Sequence, residues 1–104
     1  MSLTTKQKQY LKGLAHHLKP VILVGGGGIT PAVEQATDLE LEAHELIKAR
    51  IHRDAPINVK DGGQHLATAC KAELVQTIGR MAVLYRRRSE KPSIRLPKPG
   101  SSAE

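Results

Sequence analysis

The sequence contains no tryptophan and no phenylalanine, and only two tyrosines, Tyr10 and Tyr85. A core for its 104 residues must therefore be built from Leu, Ile, Val and Ala. Aromatic stacking on nucleobases would have two side chains at most to work with. There is one cysteine, Cys70, so no internal disulfide can form, and a reduced, cytoplasmic setting is the economical expectation. No apolar run reaches the length of a membrane span, and Met1 to Tyr10 lacks the apolar stretch of a secretory signal. The length suits one domain with a modest core.

Acid is missing from the first 28 residues, which hold Lys6, Lys8, Lys12 and Lys19. Lysine and arginine are missing from 34–45, which hold Glu34, Asp38, Glu40, Glu42 and Glu45. From Arg86 onward, Arg86, Arg87, Arg88, Lys91, Arg95 and Lys98 face only Glu90 and Glu104. The formal charge is +6. A segregated basic excess suggests a polyanionic partner such as nucleic acid. Basic tails that merely aid solubility are the plain alternative.

Hydrophobic spacing predicts a first helix over Thr4–His17, with Tyr10, Leu11, Leu14, Ala15 and Leu18 on one stripe. Thr4 and Gln7 have capping-box spacing, and Pro20 ends the segment. Val21–Val24 is short and mostly β-branched, as in a strand buried on both faces. Thr30-Pro31 reads as N-cap and first residue of a second helix running to about Ala43, with a thin apolar face of Val33, Ala36 and Leu41. "ELIKARI" alternates, pointing Ile47, Ala49 and Ile51 inward and Lys48 and Arg50 outward. A third helix is expected near Gly62–Lys71, capped at Asp61 with Gln64 and weakened by Gly62 and Gly63. "LVQTIGRMAVLYR" reads as two strands around a type II′ turn at Gly79-Arg80.

The order α-β-α-β-α-β-β predicts an α/β (α+β) two-layer sandwich with a mixed four-stranded sheet. Two β-α-β crossovers imply parallel pairs, and the hairpin adds an antiparallel neighbour. Lys91–Glu104, with Pro92, Pro97 and Pro99, reads as a mobile tail. The domain is expected to span 1–97, with 98–104 disordered.

Between the first strand and the second helix lies "GGGG", Gly25, Gly26, Gly27 and Gly28. A P-loop requires a lysine that is absent here. A dinucleotide fingerprint fits Gly25 and Gly27, but its third glycine position is Thr30. The remaining chemical reading is a contact with sugar-phosphate backbone. Bare N–H groups next to a helix N-terminus can be approached closely by phosphate. A flexible turn is the bland alternative.

The blocks "TTKQKQYLKGLAHHLKP", "VILVGGGGIT", "HELIKARI" and "VQTIGRMAVLYRR" follow in that order. Together they resemble the CRM-domain family (chloroplast RNA splicing and ribosome maturation), in its stand-alone bacterial YhbY-like form, over about residues 3–97. The family's Gly-x-x-G loop maps onto Gly25 and Gly28. The resemblance implies a non-enzymatic RNA-binding fold, similar in topology to the C-terminal domain of bacterial translation initiation factor three. It also implies association with rRNA in large-subunit precursors and help in ribosome assembly. The glycine-rich "NVKDGGQHLATACKAE" and the acidic second helix depart from the family pattern.

The expected RNA-binding residues are Gly25–Gly28, Lys6, Lys8, Lys12, Lys19, Arg53, Arg86, Arg87 and Arg88. No cofactor, metal, membrane or small-molecule substrate is expected, and the protein should be a monomer. His16, His17, His44, His52 and His65 show no ligand spacing within one element. Cys70 lies on an apolar stripe and reads as a buried thiol. Tyr10 is expected in the core, leaving Tyr85 as the one stacker. A small nucleotide-binding or enzyme domain using the same glycines is an alternative. A protein-interaction module that presents the acidic second helix is another.

Overall fold

Each helix begins where a side chain can cap it. The computed structural model describes residues 3–88 and 90–97. Helix α1 (Thr5–Ala15) opens with a reciprocal box. The Gln7 N–H donates to Thr4 Oγ1 at 3.1 Å, and the Thr4 N–H donates to Gln7 Oε1 at 3.0 Å. Helix α2 (Pro31–His44) opens with the Val33 N–H donating to Thr30 Oγ1 at 3.2 Å, with Pro31 in its first turn. Helix α3 (Val59–Ala69) opens at Asn58, whose Oδ1 accepts from the Asp61 N–H at 2.8 Å.

The expected start of α3 is therefore corrected: Asn58 is the cap, and Gly62 and Gly63 lie within the helix, both buried. Their role is proximity. A Cβ on Gly63 would lie 2.9 Å from Leu74 Cδ1 and 3.0 Å from Ala82 Cβ, and one on Gly62 would lie 3.3 Å from Ile51 Cδ1. Close approach of helix to sheet outweighs a helix-propensity cost of about 1 kcal/mol per glycine.

Strands β1 (Pro20–Val24), β2 (Leu46–Ile51), β3 (Glu73–Ile78) and β4 (Met81–Tyr85) form one sheet in the order β1-β2-β4-β3. β1 and β2 are parallel, and β4 is antiparallel to both β2 and β3. Only one pair of neighbours is thus parallel, not two. The second crossover skips a place, which the hairpin fills with β4. Gly79 has φ 56°, the sign a II′ turn requires at its first position.

Both crossovers step the same way along the sheet, so connections of one hand put α2 and α3 on one face. There Ile22, Val24, Leu41, Ile47, Ala49, Ile51, Leu66, Ala67, Cys70 and Leu84 form the main core. A second cluster of Leu11, Ala15, Leu46, Val75, Val83 and Tyr85 seats α1 on the opposite face. The mixed sheet and element order are as expected; the layering is refined, because helices cover both faces.

The strand buried on both sides is β4, whose Ala82–Tyr85 are all buried. β1 was expected in that role, yet it lies at the sheet's edge. It buries Ile22 and Val24 and exposes Val21 and Leu23.

The reading of a mobile tail is corrected for residues 91–97. Glu45, fully buried with φ 66°, ends α2 and grips the returning chain. Its Oε1 accepts from Ser93 N–H, Ser93 Oγ and Ile94 N–H at 2.7, 2.8 and 2.9 Å, and its Oε2 accepts from Arg88 N–H at 2.8 Å. Ile94 and Leu96 then pack on the α1 cluster, and Gln7 Nε2 donates to the Pro97 carbonyl at 3.0 Å. The expected disordered segment, 98–104, lies outside the described residues.

Candidate nucleic-acid interface

The glycine loop leaves the C-terminal end of β1 and returns at once into α2. The Gly28 N–H donates to the Gly25 carbonyl at 2.9 Å, closing a four-residue turn. Gly28 has φ 75°, and a Cβ there would meet Pro56 Cγ at 3.1 Å. It is glycine for conformation and for space. The other three are different. None has a positive φ, and a Cβ on Gly25 or Gly27 would meet nothing within 4 Å. On Gly26 the nearest atom would be the Asp54 carbonyl oxygen at 3.9 Å. Gly26 and Gly27 are exposed, and neither N–H donates to a described residue. Two bare peptide units therefore face solvent at the mouth of α2. Of the Gly-x-x-G pair, Gly28 is fixed by the fold and Gly25 is not.

The helix mouth itself is partly occupied. Thr30 uses the Val33 N–H, Pro31 has none, and the first-turn Glu34 contacts His65 Nε2 at 2.7 Å. An anion would find its free donors in the loop rather than in the first turn of α2.

The expected basic residues fall into three groups. Arg53 follows β2 at the glycine-loop end and is exposed. Lys6, Lys8 and Lys12 ride on α1, over the other face of the sheet, with no acid on that helix. Lys19 precedes β1, six positions before Gly25, so an extended strand puts it roughly 20 Å from the loop. It does not ring the glycines.

The Arg86–Arg88 run leaves the opposite end of β4 and is split. The Arg86 guanidinium, with its side chain only 20% exposed, donates to Asp38 Oδ1 at 2.5 Å, to the Cys70 carbonyl at 2.9 Å and to the Asp38 carbonyl at 3.2 Å. Arg88 caps the end of α2 through the Ala43 carbonyl at 3.1 Å and reaches the Lys91 carbonyl at 3.1 Å. Arg87 alone of the three is exposed. Two guanidiniums counted as open charge are thus spent on carbonyls and carboxylates of the fold.

Two basic side chains outside the expected set, Arg50 and Arg80, join the loop end, while Lys48 lies further down β2, paired with Pro20 at the start of β1. Alternation along β2 turns Lys48 and Arg50 to the α1 side of the sheet. Arg80 occupies the hairpin turn, and its carbonyl accepts the Ile51 N–H at 2.8 Å. The signal for Lys48 and Arg50 was the outward half of the "LIKARI" alternation.

The two tyrosines exchange roles. Tyr85 is 1% exposed and Tyr10 is 43% exposed. Burial, and then the negative charge of Glu45, push the Tyr85 phenol up, with Arg87 opposing. The exposed aromatic of the described residues is therefore Tyr10, on α1.

The acids of α2 are largely matched within the molecule. Asp38 and Glu42 meet Arg86, Glu34 meets His65, and Glu40 meets His44 at 3.4 Å. Cys70 is buried at the end of α3. Burial and the nearby Asp38 raise its thiol pKa, Arg86 opposes, and Glu34 adds a smaller upward push. Among the described residues, no group of three His, Cys, Asp or Glu could hold a metal ion, and no helix is long and apolar enough to cross a membrane.

A family model described as the CRS1 / YhbY (CRM) domain matches residues 3–86. The chain is 44% identical over 100 residues to a protein of Haemophilus influenzae named "RNA-binding protein", covering 93% of this chain and 97% of that one. It is 39% identical over 95 residues to the Bacillus subtilis protein named "Probable RNA-binding protein YqeI", covering 91% and 99%. The solution structure of the hypothetical protein SAV1595 from Staphylococcus aureus superposes with a TM-score of 0.76 at 40% identity, covering 92% of this chain and all of that one.

Proposed function

The chain belongs to the CRS1 / YhbY (CRM) domain family, and from that premise we propose that it is a non-enzymatic RNA-binding protein. It associates with rRNA in precursors of the large ribosomal subunit and assists their assembly. The relatives named for RNA binding support the partner class. The ribosomal setting rests on the family resemblance of the sequence blocks.

One observation carries the mode of binding. Gly26 and Gly27 lack side chains although neither backbone conformation nor packing demands it. Their N–H groups donate to the oxygens of a phosphate that a Cβ would hold away. Arg53, Arg50 and Arg80 add charge at that end, and Lys6, Lys8 and Lys12 extend it over α1. Arg87 contributes from the far end, while Arg86 and Arg88 act through the fold.

Crosslinking in cells, with sequencing of the attached RNA, tests the setting. Reads are expected to concentrate on large-subunit rRNA and its precursors. An RNA profile matching total cellular RNA would overturn the ribosomal part, and no RNA above background would overturn the whole reading.

A further inference from the structure

The last row of the sheet before the glycine loop is open on the α1 side. The pairing register sets Leu23 beside Arg50, Arg50 beside Met81, and Met81 beside Ile78. All four point to the face that carries α1, because Ile22, Val24, Ala49, Ile51 and Leu84 take the opposite one. Helix α1 covers the other end of that face, over Leu46, Val75, Val83 and Tyr85. The end row is left bare: Leu23 is 61% exposed, Ile78 is 57% exposed, Arg50 is exposed and Met81 is half-buried.

A water-facing row of three apolar side chains around one guanidinium is unusual for a surface that serves only solubility. Its charge indicates the occupant. The next row inward holds Lys48, paired with Val83, which faces Gln76. Arg80 closes the hairpin beside Met81, and neither row contains an acid. Asp54, the nearest acid in the loop after β2, sits beside His52 Nδ1 at 3.5 Å. Leu23 is two residues from Gly25, so the row and the loop form one continuous surface.

We propose that Leu23, Arg50, Met81 and Ile78 form a platform for the unstacked bases of a short single-stranded RNA segment whose backbone enters at Gly26-Gly27. The inference rests on the RNA-binding reading above and adds to it which strand state is bound and by which side chains. Four strands about 4.8 Å apart make a row about 14 Å wide. That is enough for two or three splayed bases, the number other four-stranded RNA-binding sheets carry. The Arg50 guanidinium plane stacks on a base, and the aliphatic side chains and the Met81 thioether supply apolar contact where aromatics are lacking.

The test is anisotropy titration of the full chain with an unstructured single-stranded RNA and with a blunt duplex of equal length. The variants are Leu23→Thr, Ile78→Thr, Arg50→Lys and the double change Gly26→Asp with Gly27→Asp. Threonine suits exposed strand positions, and circular dichroism confirms that each variant folds. Each threonine variant is expected to weaken single-strand binding by about fourfold, the loss of roughly one methylene's worth of apolar contact. Its salt slope and duplex binding should not change. Arg50→Lys keeps the charge and should still weaken the single strand. If these variants bind as wild type while the glycine double variant fails, the platform is overturned and the RNA-binding reading stands. If wild type binds neither RNA, both fall. Dimerisation of wild type in sedimentation equilibrium, lost in Leu23→Thr, would assign the row to a second copy and overturn the platform.

Discussion

Glu45 and Ser93 are 48 positions apart and joined twice: the N–H and the hydroxyl of Ser93 both donate to the same carboxylate oxygen, at 2.7 and 2.8 Å. With Arg88 and Ile94, the buried carboxylate accepts four hydrogen bonds from the chain that follows β4. Burial alone raises its pKa. The Arg88 N–H, the Ser93 hydroxyl, and the Ile94 and Ser93 N–H groups together outweigh burial and bring it below the ordinary value of 4.5.

A depressed folded-state pKa stabilises the protein above the unfolded pKa, and that stability is lost as pH falls through the folded value. Glu45 therefore contributes fully at neutral pH and loses its contribution progressively below pH 4.5. Glu45→Gln is expected to lower unfolding stability at pH 7 by about 2 kcal/mol, as charged hydrogen bonds are lost. Urea denaturation from pH 7 to pH 3 should show a flatter acid limb for the variant than for wild type.

Glycine-to-alanine changes in two helices should have opposite signs. Gly13→Ala in α1 enters open space and should stabilise by about 0.5–1 kcal/mol through helix propensity. Gly63→Ala in α3 drives a methyl into Leu74 and Ala82 and should destabilise by about 1–3 kcal/mol through overpacking. Thermal melts of the two variants check the contrast.

Arg86 and Arg87 should separate stability from binding. Arg86→Ala leaves Asp38 and the Cys70 carbonyl without their donor and should cost about 1–2 kcal/mol in urea denaturation. Arg87→Ala should change stability by less than about 0.5 kcal/mol and weaken RNA binding only slightly.

Salt dependence checks how much binding is phosphate contact. For about five contacts to a single strand, log affinity should fall with log salt at a slope of about −3.5. Gly26→Asp with Gly27→Asp should reduce affinity at low salt and make the slope shallower. Neither glycine has a left-handed backbone, so the fold should tolerate both substitutions.

What the sequence disclosed was mostly local. The Thr4–Gln7 box, the Thr30-Pro31 start and the Gly79-Arg80 turn are each decided within four residues, and the structure has all three. Errors arose where distant chain segments decide. Gly62 and Gly63 read as helix breakers because Leu74 and Ala82, which require their bareness, lie elsewhere in the sequence. "VILV" and "AVLY" are equally apolar, and only the strand order makes the first an edge and the second central. Tyr85 went inside with its strand, and Tyr10 fell just off the buried side of α1, which Gln7, Leu11 and Ala15 occupy. The carbonyl and carboxylate partners of Arg86 and Arg88 are more than 15 positions away in most cases, so charge counting took both as open. The candidate loop was legible because four glycines together are visible in any reading; which of them the fold itself needs was not.

The closeness of Pro56 to Gly28, which leaves no room for a Cβ there, has a thermodynamic consequence. With one end of the loop wedged there and the turn already closed, only the apex peptides at Gly26 and Gly27 remain to be immobilised by a ligand. Freezing two residues forfeits about 2–4 kcal/mol of backbone entropy, against roughly three times that for a slack six-residue loop. On the proposed mode of binding, most of the ordering for capture is completed when the chain folds, so that even a weak, briefly held RNA strand could be gripped.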